Sequence, residues 1–214
     1  MLPPFAKYGL KELFIFSLVW IAIGALLWFV HPAARPVVLL PAAGLLFTLN
    51  FFRDPRREVP SEAGLVVSPA DGTVVEISEC EESEFLKRPC AKIGIFLSVF
   101  DVHVNRSPCD GPVTASAYRP GRFLDARHPD CGPQNERQSI QVGPMVVKQI
   151  AGLIARRIVC EAKPGDVLKR GERFGMIKFG SRTELYIPKD QVEEIRVRLK
   201  DKVKGGETVI ARTR

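Results

Sequence analysis

Aromatic side chains are scarce in this sequence beyond residues 1–52, and they make up 8% of the whole chain. No block of lysine or arginine residues interleaved with tyrosine or phenylalanine occurs. Proteins that bind single-stranded nucleic acid commonly combine these residue types. Because the formal net charge is nevertheless +7, we expect a membrane surface or a phosphorylated substrate as the anionic partner, and no nucleic acid.

Cysteine is too scattered for a covalent or metal-binding framework. The cysteines are Cys80, Cys90, Cys109, Cys131 and Cys160, an odd number with no CxxC spacing. Disulfide scaffolds and zinc sites depend on paired cysteines. The sequence therefore predicts no metal site and favours a reducing compartment, with the thiols as small core or surface side chains.

Several catalytic motifs are also missing. The chain has no GxSxG nucleophile elbow, no HExxH, no P-loop and no GxGxxG turn. The sequence thus gives no support for an α/β-hydrolase, a zinc protease, an NTPase or a dinucleotide-binding enzyme.

Long apolar runs, by contrast, are present near the N-terminus. Residues 13–30 form an uncharged run, and residues 37–52 form a second run with few polar interruptions. The short linker between them, HPAARP, contains two prolines and a histidine, His31. The pattern predicts a membrane-associated helical hairpin over residues 1–52. A buried apolar hairpin of a soluble protein and a shallow insertion into one leaflet remain alternatives.

The charges that flank the two runs predict an orientation. Lys7 and Lys11 precede the first run, and Arg53, Arg56 and Arg57 follow the second. Since lysine and arginine accumulate on the cytoplasmic side of membrane proteins, we expect both ends of the hairpin there. The domain 53–214 would then lie in the cytoplasm, against the anionic inner leaflet of the cell membrane.

Residues 53–214 show the pattern of a β-rich domain. Short runs such as TVVEI, KIGIFLSVF and EIRVRL are separated by Gly, Pro and Asp, which is typical of strands and turns. The best helix candidate, residues 83–88, is short, and we expect the polar segment 121–137 to be a long surface loop. The predicted fold is mainly β, a compact sandwich or barrel.

Two segments of this domain echo each other. GDVLKRGE at 165–172 and KDKVKGGE at 200–207 share an Asp, a Lys, a Gly and a Glu at equal spacing. The echo resembles the two halves of biotinyl and lipoyl carrier domains, although two similar β-turns can also arise by chance. Because Met176-Ile177-Lys178 resembles a biotin attachment site, a membrane-tethered carrier module is a second hypothesis for the function.

Three polar residues are candidates for chemistry. Asp71 lies in SPADGT, His103 lies in FDVHVNRSPCDG, and Ser181 lies in KFGSRTELYIP. A serine, a histidine and an aspartate can assemble as nucleophile, base and orienting carboxylate. An Asp-Gly turn and a histidine at a strand end are also common structural features, so these residues alone leave the function open. A third histidine, His128, lies in the polar loop.

Taken in order, four motifs resemble one family. SPADGTV, FDVHVNRSP, the NER of 135–137 and RFGMIKFGSR are similar to phosphatidylserine decarboxylase, and the N-terminal hairpin is similar to that of its short bacterial and archaeal form. The resemblance runs from about residue 50 to the C-terminus. Two departures occur: FGS stands in place of LGS, and Phe100 stands where some long-form members have a second histidine. The role of that histidine therefore does not transfer.

The resemblance implies a proenzyme that cuts itself between Gly180 and Ser181 into a β chain, 1–180, and an α chain, 181–214. By resemblance, Ser181 attacks the carbonyl of Gly180 and is converted into an N-terminal pyruvoyl group, the cofactor. His103 would accept the hydroxyl proton, and Asp71 would orient the imidazole. His103 would also donate a proton during decarboxylation, because imidazoles titrate near neutral pH.

The substrate that the resemblance implies is phosphatidylserine in an anionic membrane. Its conversion to phosphatidylethanolamine and CO2 would use the pyruvoyl group as the electron sink. Arg106 and Arg137 are candidates for binding the phosphodiester. Another phosphoserine lipid, such as the ether lipid archaetidylserine, is an alternative substrate. The sequence leaves open whether the chains form a homo-oligomer.

Overall fold

The apolar runs of the C-terminal part form the strands of a mainly β domain, as predicted. A computed structural model describes residues 5–30, 32–128, 130–153, 157–178 and 180–214. His31 and Phe179, which belong to the sequence motifs above, lie outside the described residues. The strands are β1 (Leu65–Val67), β2 (Gly72–Glu82), β3 (Arg88–Leu97), β4 (Val104–Arg106), β5 (Gly111–Arg119), β6 (Arg137–Val142), β7 (Met145–Ala151), β8 (Arg157–Cys160), β9 (Val167–Leu168), β10 (Arg173–Lys178), β11 (Ser181–Pro188), β12 (Val192–Ile195), β13 (Lys202–Val203) and β14 (Val209–Thr213).

The strands pair into one long sheet and two short ones. The long sheet has eight strands in the order β13-β2-β3-β11-β7-β6-β5-β9, and its pairs are antiparallel. It curls into a half-barrel. Two three-stranded sheets, β1-β14-β12 and β4-β10-β8, complete the domain.

Strand β11 lies at the centre of the long sheet, between β3 and β7. All eight of its residues are buried. On one face, Leu185 and Ile187 belong to the main hydrophobic core together with Ile93 and Ile95 of β3. Truncating a leucine buried in such a core costs about 2–5 kcal/mol of folding free energy. The residues that follow the Gly180–Ser181 bond are thus firmly held.

The two segments that echo each other in sequence have the same local backbone hydrogen bonds. Each contains a two-residue strand, β9 or β13, which pairs with the start of a longer strand, β5 or β2. The bonds that correspond are Val113 N–H to Asp166 O (2.8 Å) and Val74 N–H to Asp201 O (2.9 Å), and Gly171 N–H to Ser107 O and Gly206 N–H to Ser68 O (both 2.8 Å). The likeness to biotinyl and lipoyl carriers stays a prediction.

Two details of this domain differ from the expectations. The helix candidate at 83–88 is wrong: residues 83–86 form a turn between β2 and β3, because the Glu82 carboxylate accepts the N–H groups of Phe85 and Leu86 at 2.8 and 2.9 Å. The polar segment 121–137 contains a one-turn helix, α1 (Cys131–Gln134). Its buried Asn135 donates to the carbonyl of Ala151 at 2.8 Å, which fixes the segment to the end of β7.

The N-terminal residues form a separate unit. The chain divides into Met1–Arg56 and Arg57–Arg214. In the first unit, a 21-residue helix, Leu10–Val30, is followed by a 3-10 segment, Pro32–Val38, and a 13-residue helix, Leu39–Phe51. The two helices contact each other where the Trp20 indole N–H donates to the Thr48 hydroxyl at 3.1 Å.

The second apolar run is shorter as a helix than its sequence suggests. Pro36 lies inside the 3-10 segment, which takes up the start of the run. Among the described residues, one helix, Lys7–Val30, is long and apolar enough to cross a membrane. An apolar N-terminal helix of this length is compatible with membrane association.

Candidate active site

The Gly180–Ser181 bond joins the end of β10 to the start of β11. Gly180 has a φ of +63°, a left-handed conformation that glycine adopts without steric cost. Ser181 is the first residue of β11 and pairs with Leu97 of β3 and Ala151 of β7. The dipeptide is therefore the corner at which the chain enters the central strand, and Ser181 is fixed while Gly180 supplies the bend.

The hydroxyl of Ser181 is buried and makes no hydrogen bond to the described residues. The residue is 0% exposed. Leaving a buried hydroxyl unpaired costs about 1–3 kcal/mol. Because unsatisfied buried groups are rare in folded proteins, this hydroxyl is a strong candidate for a reactive group, next in the chain to the Gly180 carbonyl.

The imidazole of His103 lies against the backbone nitrogen of Gly180. Its Nδ1 is 2.9 Å from the Asp101 carbonyl oxygen, and the N–H of Gly180 donates to its Nε2 at 3.3 Å. A carbonyl can only accept, so Nδ1 carries the proton and Nε2 keeps its lone pair. The ring is fully buried. A neutral, basic nitrogen thus faces the backbone of Gly180.

Asp71 makes contacts that the sequence did not predict, and its role toward His103 stays a prediction. Its carboxylate accepts two hydrogen bonds from Arg57, at 2.9 and 2.7 Å, and one from the N–H of Gly205 at 2.8 Å. Burial raises the pKa of Asp71 above its usual value, although Arg57 opposes that shift. The structure therefore brings His103 and Gly180-Ser181 together, and it joins Asp71 to Arg57, whose pairing no sequence motif indicated.

A buried polar network supports the start of β11. Asn105 donates to the hydroxyl of Thr183 at 2.9 Å, and Gln149 donates to the Asn105 side-chain oxygen at 2.9 Å. All three residues are nearly or fully buried. Networks of this kind hold their members in one arrangement. They connect the strand that follows His103 with the strand that begins at Ser181.

A cavity of about 350 Å³ opens beside Gly180. Its volume lies within the range of small-molecule sites. The lining is largely apolar, with Arg127 and Asp125 as charged members. The lining residues are Phe96, Ser98, Val99, Phe100, Asp125, Ala126, Arg127, Leu153 and Gly180. A ligand in this cavity would contact Gly180.

Comparison with known proteins shows the family of this chain. Residues 45–211 match the family model described as phosphatidylserine decarboxylase. The chain belongs to the phosphatidylserine decarboxylase family. Proteins named phosphatidylserine decarboxylase proenzyme are similar to it over most of its length. The one from Rhodopirellula baltica is 46% identical over 98% of this chain and 88% of its own, and the one from Symbiobacterium thermophilum is 48% identical over 93% and 92%.

Membership of this family identifies the chain as an enzyme, a carboxy-lyase, as the sequence motifs predicted. A third protein of the same name, from Syntrophus aciditrophicus, is 50% identical over 80% of this chain and 82% of its own. The family model also covers the motifs around Asp71, His103 and Ser181. The match therefore favours the decarboxylase hypothesis over the carrier module.

The two arginines predicted to bind phosphate lie elsewhere than the cavity at Gly180. Arg106 is buried and donates to the carbonyl of Gly171 at 3.1 Å. Arg137 donates to the carbonyl of Pro133 at 2.8 Å and lines a second cavity, of about 190 Å³. The phosphate role of these residues stays a prediction. The sequence did not single out Arg127, because its loop position carries no motif.

The face of β11 opposite the hydrophobic core carries a buried cluster of charged side chains. Arg182 pairs with Glu76 and lies 2.9 Å from Glu184, and Lys92 lies 3.0 Å from Glu184. The Tyr186 hydroxyl donates to Glu184 at 2.7 Å. Burial would lower the pKa of Lys92, but Glu184 and Glu76 outweigh it and raise that pKa. Removing one partner of a buried ion pair costs about 3–5 kcal/mol, so these contacts hold β11 in place.

The cysteines take no part in the site. All five are free thiols. Burial raises the pKa of Cys109 to about 12 and that of Cys160 to about 11. Thiols with such values stay protonated at neutral pH and are poor nucleophiles.

Gly152 provides the close packing around the Gly180 carbonyl, and a side chain there should slow self-cleavage. A Cβ at position 152 would overlap the carbonyl oxygen of Gly180 and would lie 3.3 Å from the Cβ of Ala126. We expect Gly152→Ala to slow cleavage about tenfold or more, since a misplaced reacting group costs rate steeply. The measurement is the fraction of cut chain over time on a denaturing gel.

Gly180→Ala is the matched comparison for this prediction. A Cβ there meets no atom within 4 Å, but the φ of +63° disfavours alanine by about 1–2 kcal/mol. Its effect on cleavage should therefore come from backbone strain and not from overlap. Cleavage by Gly152→Ala at the unmodified rate would show that the carbonyl has room to move.

Proposed function

We propose that this chain is a self-processing proenzyme that cuts itself between Gly180 and Ser181 and then decarboxylates phosphatidylserine to phosphatidylethanolamine. The observation that carries the proposal is the buried Ser181 hydroxyl, which has no hydrogen-bond partner among the described residues and follows Gly180, whose backbone N–H donates to His103 Nε2. The family match adds support, since the related proteins are named phosphatidylserine decarboxylase proenzyme.

Self-cleavage requires a nucleophile, a base and a bend in the backbone, and three residues fit those roles. The Ser181 oxygen would attack the carbonyl carbon of Gly180 as His103 Nε2 takes the hydroxyl proton. The C–N bond then breaks, the amine of Ser181 gains a proton, and an ester replaces the amide. Removal of the Ser181 Cα proton expels the Gly180 carboxylate. Water then replaces the nitrogen, which leaves as ammonia, and residue 181 becomes a pyruvoyl group.

The start of β11 fits a residue that must remain in place after the cut. Ser181 is paired on both sides, and the strand is fixed by its core face and by the ion pairs of Arg182 and Glu184. We expect the β chain 1–180 and the α chain 181–214 to stay together. The pyruvoyl group supplies an electron sink for the charge that develops when CO2 leaves.

His103 is the proposed proton donor of the second reaction. Its Nδ1 stays bonded to the Asp101 carbonyl at 2.9 Å, so Nε2 is the atom that exchanges protons. Asp71 remains the proposed orienting carboxylate, and its position is set by Arg57 and Gly205. The Asp101 carbonyl also orients the imidazole, through Nδ1, and Asp71→Asn separates the two contributions.

The cavity beside Gly180 is the proposed substrate site. Its apolar wall suits glycerol and acyl carbons, and Arg127 at its rim suits the phosphodiester, because guanidinium groups bind phosphate through paired N–H donors. Arg127 also holds Asp125 at 2.6 Å, and its hydrogen bonds lower the pKa of Asp125 to about 2. The carboxylate is therefore charged throughout the working pH range and fixes the arginine at the rim.

Replacement of Arg127 should weaken substrate binding without affecting self-cleavage. We expect Arg127→Ala to raise KM for phosphatidylserine about tenfold, equivalent to about 1.4 kcal/mol, with a smaller change in kcat. Arg196→Ala is the matched control, because Arg196 pairs with Glu194 two residues earlier, at 2.8 Å, as Arg127 pairs with Asp125. An unchanged KM in Arg127→Ala would remove Arg127 from the site.

The proposed setting is the cytoplasmic face of the cell membrane. The apolar helix within Lys7–Val30 supports membrane association, and the lysines and arginines at both ends of the hairpin favour the cytoplasmic side. The proposal includes the predicted hairpin, the division into residues 1–52 and 53–214, and phosphatidylserine in an anionic bilayer as the partner. Whether a homo-oligomer forms is left to a measurement of mass in detergent.

Lys178 speaks against the alternative of a carrier module. A carrier lysine must be exposed at a hairpin tip to be modified, whereas Lys178 is 4% exposed and lies within β10.

The test of the proposed function is to incubate the purified chain with vesicles of phosphatidylserine and to measure CO2 and the ethanolamine lipid. A parallel reaction with archaetidylserine separates the ester-linked from the ether-linked substrate. Absence of both products would contradict the proposal.

A further inference from the structure

Two exposed apolar side chains flank the mouth of the cavity at Gly180. Phe100 is 68% exposed and Leu153 is 62% exposed, and both line the cavity. They come from the segments that follow β3 and β7. Leu97 at the end of β3 and Ala151 at the end of β7 both pair with Ser181, so Phe100 and Leu153 follow the two strand ends that flank the start of the central strand.

Phe100 and Leu153 differ from single exposed apolar residues because they line the same cavity. Single exposed apolar residues are normal on protein surfaces, and Val167 and Leu199 are examples at 72% and 56% exposure. Phe100 and Leu153, however, belong to one cavity whose wall continues through Val99 and Phe96 to Gly180. Apolar groups at the rim of a functional cavity mark a surface that meets a partner.

The chemistry of the rim favours a phospholipid bilayer as that partner. Arg127 lies beside the apolar pair, and its side chain is 69% exposed. Aromatic and aliphatic side chains next to arginine are typical of groups that enter the headgroup and acyl boundary of a membrane. The net charge of +7 adds attraction to an anionic leaflet.

We infer that Phe100 and Leu153 insert into an anionic bilayer and seat the cavity mouth directly on the lipid surface. The choice of a lipid partner rests on the proposed function, in which the substrate is a membrane lipid. A headgroup could then pass from the leaflet to Gly180 along the apolar wall, while Arg127 meets the phosphodiester. The catalytic unit would thus contact the membrane itself, independently of the N-terminal helix.

Fluorescence tests this contact without any need for catalysis. The full-length chain would carry Ser181→Ala, Trp20→Phe and Trp28→Phe, with Phe100→Trp as the reporter. On phosphatidylserine-containing vesicles we expect the emission to shift to the blue and to be quenched by brominated acyl chains. Val167→Trp in the same background is the control, and its emission should stay unquenched.

The outcomes separate this inference from the proposed function. Because Ser181→Ala removes the cleavage site, a protein that neither cuts itself nor decarboxylates would still report insertion. No quenching at position 100, or equal quenching at positions 100 and 167, would overturn the inference.

An activity measurement adds a second readout. The double variant Phe100→Ser with Leu153→Ser should lower the ratio of turnover on vesicles to turnover on short-chain phosphatidylserine about tenfold. Val167→Ser with Leu199→Ser should leave that ratio unchanged.

Discussion

Ser181→Ala is expected to leave the chain in one piece and without decarboxylase activity. The alanine lacks the oxygen that would attack the Gly180 carbonyl and that would be lost when the pyruvoyl group forms. Removing the nucleophile of a serine-based mechanism commonly lowers the rate by about 10⁴-fold or more, and here the cofactor would also be absent. Denaturing gels and the production of ethanolamine lipid measure the two losses separately.

The Ser181→Ala substitution should remove the nucleophile without disturbing the fold. The hydroxyl has no hydrogen-bond partner among the described residues, so alanine removes no stabilising bond and should not lower the melting temperature. Ser181→Cys is the companion variant, because a thiol can make the same attack and should restore cleavage. An Ser181→Ala chain that is cut at the same bond would refute the assignment of the nucleophile.

His103→Ala is expected to have the second-largest effect. General acid–base catalysis by a positioned side chain contributes about 10²–10⁴-fold, and His103 Nε2 is the basic atom that the structure places at Gly180, 3.3 Å from its nitrogen. Cleavage should slow by about that factor. The cut chain should also decarboxylate more slowly. One time course of cleavage and a second time course of product formation per cut chain separate these two effects.

His128→Ala provides the control for His103. His128 is exposed and bonded to the backbone N–H of Asp130 at 3.2 Å, so its loss should change neither reaction. Asp71→Asn then tests which group orients the imidazole. Loss of cleavage as severe as in His103→Ala assigns that role to Asp71, whereas near-normal cleavage assigns it to the Asp101 carbonyl. Normal cleavage by His103→Ala would contradict its role as base.

The sequence predicted the parts of this protein that depend on local patterns. Alternation and turn residues gave the mainly β domain, and short motifs gave the family and singled out Ser181 as a candidate. The helix expected at 83–88 failed because the Glu82 carboxylate caps a turn there, a contact that propensity does not reveal. The second apolar run is a shorter helix because Pro36 lies in a 3-10 segment.

Contacts between distant segments could not be predicted in the same way. The pairing of Asp71 with Arg57 and the cavity rim of Phe100, Arg127 and Leu153 depend on how the sheet curls. A further signal was available in the sequence: SPADG at 68–72 recurs as SPCDG at 107–111. The two copies make matching bonds, since Gly205 N–H donates to Asp71 at 2.8 Å and Arg170 N–H donates to Asp110 at 2.9 Å.

The mass of the purified, active chain under denaturing conditions tests the central claim most directly. The account predicts two polypeptides, residues 1–180 and 181–214, with the smaller one lighter by one ammonia than its serine form and blocked to N-terminal sequencing by a ketone. An intact chain that still decarboxylates phosphatidylserine, or a smaller piece that begins with an unmodified serine, would contradict it.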